Sequence, residues 1–193
     1  EIEERYVSNI YKKLAKKGFE VKKYRERYEE FSDKGYKIVS PNKKTWDKSI
    51  SEVYKLIMKL YSDFPIFKHL SEDDFKEIYS TYKIILDMSM VKLAYYEGEA
   101  VGFFIGMPDY GNRLYGKINL TTLLYILMKR RKCSNYVLLY MGVDSKHQGL
   151  GKAMTQAIMD NLQVKQASSI GALIKKGKIV EQYVEEARED QHE

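Results

Sequence analysis

Apolar positions recur along the chain with two periods, and the switches between them divide it into elements. Val7, Ile10, Tyr11 and Leu14 have helical spacing and predict a helix over residues 1–19, closed by Gly18. The polar stretch Glu20–Phe31 reads as a strand, with Tyr24 and Tyr28 on one face. Ser32–Gly35 is a turn by composition, and Tyr36–Val39 is a short strand before Pro41. From Asp47, apolar residues at Ile50, Val53, Tyr54, Ile57, Met58 and Tyr61 predict a helix that ends near Phe64–Pro65. Ser71 and Asp74 have the spacing of a capping box, with Asp in place of Glu or Gln. The helix they open carries Phe75, Ile78, Tyr82, Ile85 and Leu86.

In the second half, Val91–Tyr96 and Ala100–Gly106 flank Glu97-Gly98-Glu99 and predict a hairpin. A Gly- and Tyr-rich loop over Pro108–Asn119 leads to a helix over Leu120–Lys132, marked by Leu123, Leu124, Ile126 and Leu127. Val137–Val143 is a β-branched and aromatic strand; Met154, Ala157, Ile158 and Leu162 define the helix after it. Between them stands Gln148-Gly149-Leu150-Gly151-Lys152-Ala153. A helix whose first turn is glycine-rich leaves N–H groups uncovered at the positive end of its dipole, which suits a phosphate or pyrophosphate. Ala167–Ile174 reads as a further strand and Lys178–Arg188 as a further helix.

The loop is neither a P-loop nor a dinucleotide fingerprint, because the glycine spacing of both is absent. It resembles the Gln/Arg-x-x-Gly-x-Gly/Ala signature of the GNAT N-acetyltransferase superfamily, with the hydrophobic strand before and the helix after. A plain strand-to-helix turn is the other reading of the same residues. The resemblance implies an α/β (α+β) fold with a mixed, mainly antiparallel central sheet flanked by helices. It implies an acyl-CoA-dependent N-acetyltransferase that moves an acetyl group from acetyl-CoA to a small-molecule or peptide amine by direct attack. The backbone N–H groups of Gly149, Leu150, Gly151, Lys152 and Ala153 would hold the pyrophosphate, with Gln148 shaping the loop. The strand edge at Met141 and Val143 would pair with the pantetheine arm, the Val143 N–H facing the thioester oxygen, and Gly142 would allow the strand to bulge and splay.

For the general base, Asp109 and Asp144 lie just beyond strands; Asp109 is equally a turn residue, and Asp144 is the poorer candidate because it reads first as a cap or turn residue before the loop. For the general acid, the family often uses a Tyr on the helix after the fifth strand; Tyr183 stands there, or it is a core aromatic beside Val180 and Val184. The family's Asn near that helix start is replaced by the run Lys175–Lys178. Lys129–Lys132 is a site for the 3′-phosphate of CoA or a cationic helix end stabilising its own dipole.

Leu14–Phe19 resembles the Tyr-x-x-x-Gly-Phe turn that ends a GNAT domain, with Leu14 where Tyr is usual. Residues 1–35 are therefore the tail of a preceding GNAT half or an unrelated extension, and residues 36–193 a GNAT-like domain lacking its usual last strand. Glu20–Phe31 could then supply the missing edge strand. The helix over Leu120–Lys132 is an insertion expected near the acceptor side. The lack of an initiator Met and the tail suggest a segment of a longer protein, with a sister GNAT domain or a homodimer as partner. The alternative function is a non-catalytic CoA-binding or structural module.

Composition narrows these readings. The 193 residues suffice for one substantial domain, and 44% hydrophobic content supports a core. The net charge of +6 favours an anionic ligand, yet Lys and Glu alternate at the N-terminus, which argues against nucleic acid. Cys133 is the only cysteine, so no intrachain disulfide forms and a reducing, cytoplasmic setting is expected. No apolar run approaches the roughly 20 residues of a membrane span. His69, His147 and His192 are too scattered to suggest a metal site.

Overall fold

The computed structural model describes residues 6–15, 19–61, 70–111, 119–175 and 182–192. In chain order the elements are β1 (Tyr6–Tyr11), α1 (Lys22–Asp33), β2 (Lys37–Val39), α2 (Trp46–Leu60), α3 (Glu72–Ile85), β3 (Val91–Tyr96), β4 (Glu99–Pro108), α4 (Leu120–Arg131), β5 (Asn135–Val143), α5 (Leu150–Lys165), β6 (Ser168–Lys175) and β7 (Arg188–His192). Among the described residues the strands form one sheet in the order β2-β3-β4-β5-β6-β1-β7. Every neighbouring pair is antiparallel except β5 and β6. This is the mixed, mainly antiparallel sheet that the resemblance implies. The Gly18 cap, the helix end near Phe64–Pro65 and residues 112–118 and 176–181 lie outside the described residues.

Strand alternation divides the core in two. Phe103 and Ile105 of β4 share one core with Trp46, Val53 and Phe75 from α2 and α3, whereas Phe104 shares the other with Tyr24, Met154 and Ile158 from α1 and α5. Helix α5 buries Leu150, Met154, Ile158 and Leu162, a stripe at helical spacing on the second face. Helix α1 is fastened beside it by Arg25, whose guanidinium donates to both oxygens of Asp160 at 2.6 and 3.2 Å. At the start of β5, the Tyr136 hydroxyl donates to Asp87 at 2.7 Å, and Lys165 reaches the same carboxylate at 2.8 Å.

Three expectations are corrected near the chain ends. Residues 6–11 are a strand because Val7, Asn9 and Tyr11 share one buried face at a period of two. The polar member, Asn9, is fully buried and satisfied: it donates to the Tyr11 hydroxyl and accepts from Gln191. Glu20–Phe31 is not a strand, and so not the missing edge; Tyr24 and Phe31 are seven apart and face α5 together from helix α1. The described part of Lys178–Arg188 is a turn and a short 3-10 segment, Glu185–Ala187, with Val184 left-handed at φ 54°. The sheet does not stop at β6, since β1 pairs with it and β7 pairs with β1.

The bulge is displaced as well. Tyr140 pairs with Ile105 but Leu138 with Gly106, so Leu139 is the extra residue of β5. Gly142 pairs regularly with Phe103 and serves close packing: a Cβ there would lie 2.5 Å from the Phe103 ring and 3.0 Å from Leu60. Beyond it, Asp144 accepts from the Lys146 N–H at 3.1 Å and pairs with Lys59 at the end of α2.

Gly142→Ala is expected to cost about 1–3 kcal/mol through overpacking against Phe103, read as a lower midpoint of urea unfolding. The Lys59 ammonium, with the Lys146 N–H, holds the Asp144 carboxyl below the ordinary carboxylate range. A depressed folded pKa adds stability above the unfolded value of about 3.9 and loses it as pH falls through the folded value. In Lys59→Met the Asp144 carboxyl is therefore expected to titrate at higher pH by carboxyl-carbon NMR, and an unchanged titration would refute the pairing.

Candidate cofactor cleft and active site

Strands β5 and β6 share only the pairs from Asn135↔Ser168 to Leu138↔Gly171. At the Leu139 bulge they part: β5 stays with β4 as far as Val143, and β6 stays with β1 as far as Lys175. The Asp144 N–H donates to Val101 at 2.9 Å, towards β4. Successive amides alternate sides along a strand, so Gly142 also faces β4, and the N–H groups of Met141 and Val143 face the open edge. A cavity of about 490 Å³ occupies the gap, lined by Phe104, Leu138, Met141, Ile158, Met159 and Tyr183 among others. The parted edge thus offers amide donors above an apolar channel.

The glycine loop stands at the open end of this gap. Leu150 and Ala153 are buried in the core, so they offer a ligand only their backbone. The Leu150 and Lys152 amides turn back to the carbonyls of His147 and Gly149, at 3.2 and 3.1 Å. Among the described residues those of Gly149 and Gly151 have no acceptor. Gly149 adopts φ 92°, the left-handed conformation that lets the chain enter α5 with these amides outward. His147 braces the loop: its Nδ1 is 2.6 Å from the Tyr36 hydroxyl, and Tyr36 stacks on Tyr96 at 4.3 Å. Tyr36, Tyr96 and His147 therefore fix the loop from the β2 and β3 side.

Tyr183 reaches the same helix turn. Its hydroxyl lies 3.0 Å from where a Cβ on Gly151 would stand, and the Met141 sulfur lies 3.7 Å from the same point. Burial pushes its pKa above that of an ordinary tyrosine, with the Tyr24 hydroxyl adding to the effect. Tyr183 and Met141 thus meet at the first turn of α5, the junction of loop and cleft. The next residue, Val184, is β-branched and left-handed, a backbone choice that costs about 1–3 kcal/mol.

Asp109 is not brought to this place. Its N–H donates to Asn135 and its carboxylate accepts from Gly111, an Asx turn beyond the other end of β4. Five residue steps along the chain separate it from Phe104, which pairs with Met141, or roughly 16 Å. Asp144 is held by Lys59 as a turn residue. Cys133 is buried at the Asp109 end, its thiol donating to the Asn135 carbonyl, and burial pushes its pKa up. Helix α4 packs there too, with Ile126 against Ile85 and Tyr110, so the insertion lies away from the glycine loop. Its last-turn cations, Lys129 to Arg131, sit at that helix end, where Arg130 caps the Ile84 carbonyl at 2.9 Å.

One basic residue at the loop was not singled out from the sequence. The Arg27 Cδ and Nε lie 3.5 Å, and its Cζ 3.6 Å, from where a Cβ on Gly149 would stand. Arg27 also donates to Glu30 at 2.6 Å, and Glu30 binds Lys34, which leaves one net positive charge in the cluster. No sequence signal marks Arg27, because α1 reaches the loop only through tertiary packing.

No family model matches the sequence, and no curated protein matches it. Solved structures do. A conserved protein of unknown function from Bacteroides thetaiotaomicron VPI-5482 matches with TM-score 0.52 and 12% identity, over 89% of this chain and 52% of that one. A GCN5-related glucosamine N-acetyltransferase region of a fungal multi-domain GH3 beta-N-acetylglucosaminidase matches with TM-score 0.51 and 11% identity, over 93% of this chain and 19% of that one. The chain therefore spans about half the length of the first and far less of the second. Among the described residues no helix is long and apolar enough to cross a membrane. Likeness at such identities concerns the fold, and with the seven-stranded sheet, the parted pair and the glycine loop it makes this chain a protein of GNAT-like fold.

Proposed function

We propose that this chain is an acyl-CoA-dependent N-acyltransferase, moving an acetyl group from acetyl-CoA to an amine by direct attack. The observation that carries the reading is the parting of β5 from β6 beside the glycine loop, with the Tyr183 hydroxyl at the junction. The loop amides at Gly149 and Gly151 and the α5 dipole suit a pyrophosphate. Arg27 adds a cation beside them. The pantetheine arm carries amides that can pair with an open strand edge, and Met141 and Val143 turn their N–H groups to that edge. Attack forms a C–N bond and breaks the C–S bond. The amine's proton leaves to a base or water, and the departing sulfur takes one from Tyr183. A tyrosine hydroxyl, with an ordinary pKa of about 10, is protonated at neutral pH and has a proton to give, and burial shifts this one further in the same direction.

The reading of a CoA-binding module without catalysis is favoured by one fact: Asp109, the sequence candidate for general base, stands at the far end of β4. Two experiments separate the cases. Calorimetry with CoA is expected to give binding that weakens about tenfold in Arg27→Gln, or about 1.4 kcal/mol for the lost charge-assisted contact. No heat at high CoA concentration would reject both readings. Thiol release from acetyl-CoA with a panel of amines is expected to show turnover that drops about 100-fold in kcat for Tyr183→Phe, with CoA affinity retained. Binding without turnover for any amine would leave the module.

A further inference from the structure

The peptide group joining Tyr183 to Val184 is gripped from both sides by the N-terminal segment. The Tyr11 hydroxyl donates to the Tyr183 carbonyl at 3.0 Å, and the Val184 N–H donates to the Tyr24 hydroxyl at 2.8 Å. Both tyrosines are buried, at 8% and 1% exposure, so neither bond competes with bulk water. The Tyr24 ring also packs edge-on against the Tyr183 ring, with centroids 5.9 Å apart. Tyr11 is itself held: the buried Asn9 amide donates to its hydroxyl at 3.0 Å, and Gln191 of β7 donates to Asn9 at 2.7 Å. A hydrogen-bonded line therefore runs from the edge strand through β1 to the backbone of Tyr183.

The grip falls where the backbone has most reason to relax. Val184 is left-handed at φ 54° and ψ 41°, a conformation that a β-branched residue keeps only when its surroundings impose it. Release of the peptide would let Val184 return to a common region, and Tyr183 would rotate away from Gly151 with it. We infer that Tyr11 and Tyr24 are positioning residues for Tyr183, so that β1 and α1 are part of the catalytic site and not an appendage to it. The inference rests on the acyltransferase reading for its catalytic consequence and on the geometry alone for the placement of the Tyr183 hydroxyl.

The test uses the full chain and two readouts. With 3-fluorotyrosine incorporated at the 17 tyrosines, Tyr183→Phe assigns the Tyr183 fluorine resonance. In Tyr11→Phe and in Tyr24→Phe that resonance is expected to shift and broaden while the chain stays folded by circular dichroism. Turnover of acetyl-CoA is expected to fall about tenfold in kcat with KM for acetyl-CoA unchanged, the pattern of a group misplaced for the chemical step. If Tyr24→Phe fails to fold, Tyr11→Phe carries the test. An unmoved Tyr183 resonance in both Phe variants overturns the inference, as does a loss confined to KM. A resonance that moves in a protein without wild-type turnover upholds the placement and removes the acyltransferase reading.

Discussion

The structure depends on one unmade set of hydrogen bonds, those that β5 and β6 would exchange beyond Leu138. Backbone polar groups left without partners are costly, and an open strand edge is a template for whatever can pair with it. Here the opening is secured from both sides. The β4 ladder holds β5 along its length, β1 holds β6, and the side chains of α5 floor the gap. The extra residue Leu139 sets where the parting begins, and the packing of Phe103 under Gly142 keeps the upper arm of β5 tight against its other neighbour. The cleft is thus a product of register.

Legibility in the sequence followed the same division between local and tertiary causes. The strand, loop and helix around Gly149 were readable because apolar period and glycine placement agree at that site. The hairpin of β3 and β4 was readable for the same reason. The first strand was not, because its buried face includes Asn9, and a polar residue on the core side breaks the alternation that identifies a strand. In α1, Tyr24 and Tyr28 lie four apart, a spacing that fits both a strand face and a helix face; only packing against α5 decides. Val184 gives no sequence warning that the chain turns left-handed there, so the stretch after β6 reads as helix.

The site divided likewise. Met141 and Val143 were reachable from the motif, and the direction of their amides follows from alternation once one bond, Asp144 to Val101, is known. Asp109 was attractive because it ends a strand, but a strand has two ends. The antiparallel pairing of β4 with β5 assigns Asp109 to the end where β5 begins, whereas the gap opens where β5 finishes. That Tyr183 lines the cleft could be expected only through resemblance. Its neighbours Tyr11 and Tyr24, and Arg27 beside Gly149, are supplied by residues more than a hundred positions away, and no local pattern predicts such company.

The placement of β1 between β6 and β7 bears on how the chain reaches its folded state. Tyr11 and Tyr183 are 172 residues apart in sequence, and Asn9 and Gln191 are 182 apart. Loops of that span close slowly, and sheets built on distant pairings fold late relative to local hairpins. During synthesis the glycine loop and its flanking elements can assemble before β7 emerges, while β1 waits for both of its partners. Assembly of the tyrosine junction then waits on pairings far longer in sequence than those around the glycine loop, so the two ends of the cleft are organised by contacts of very different range.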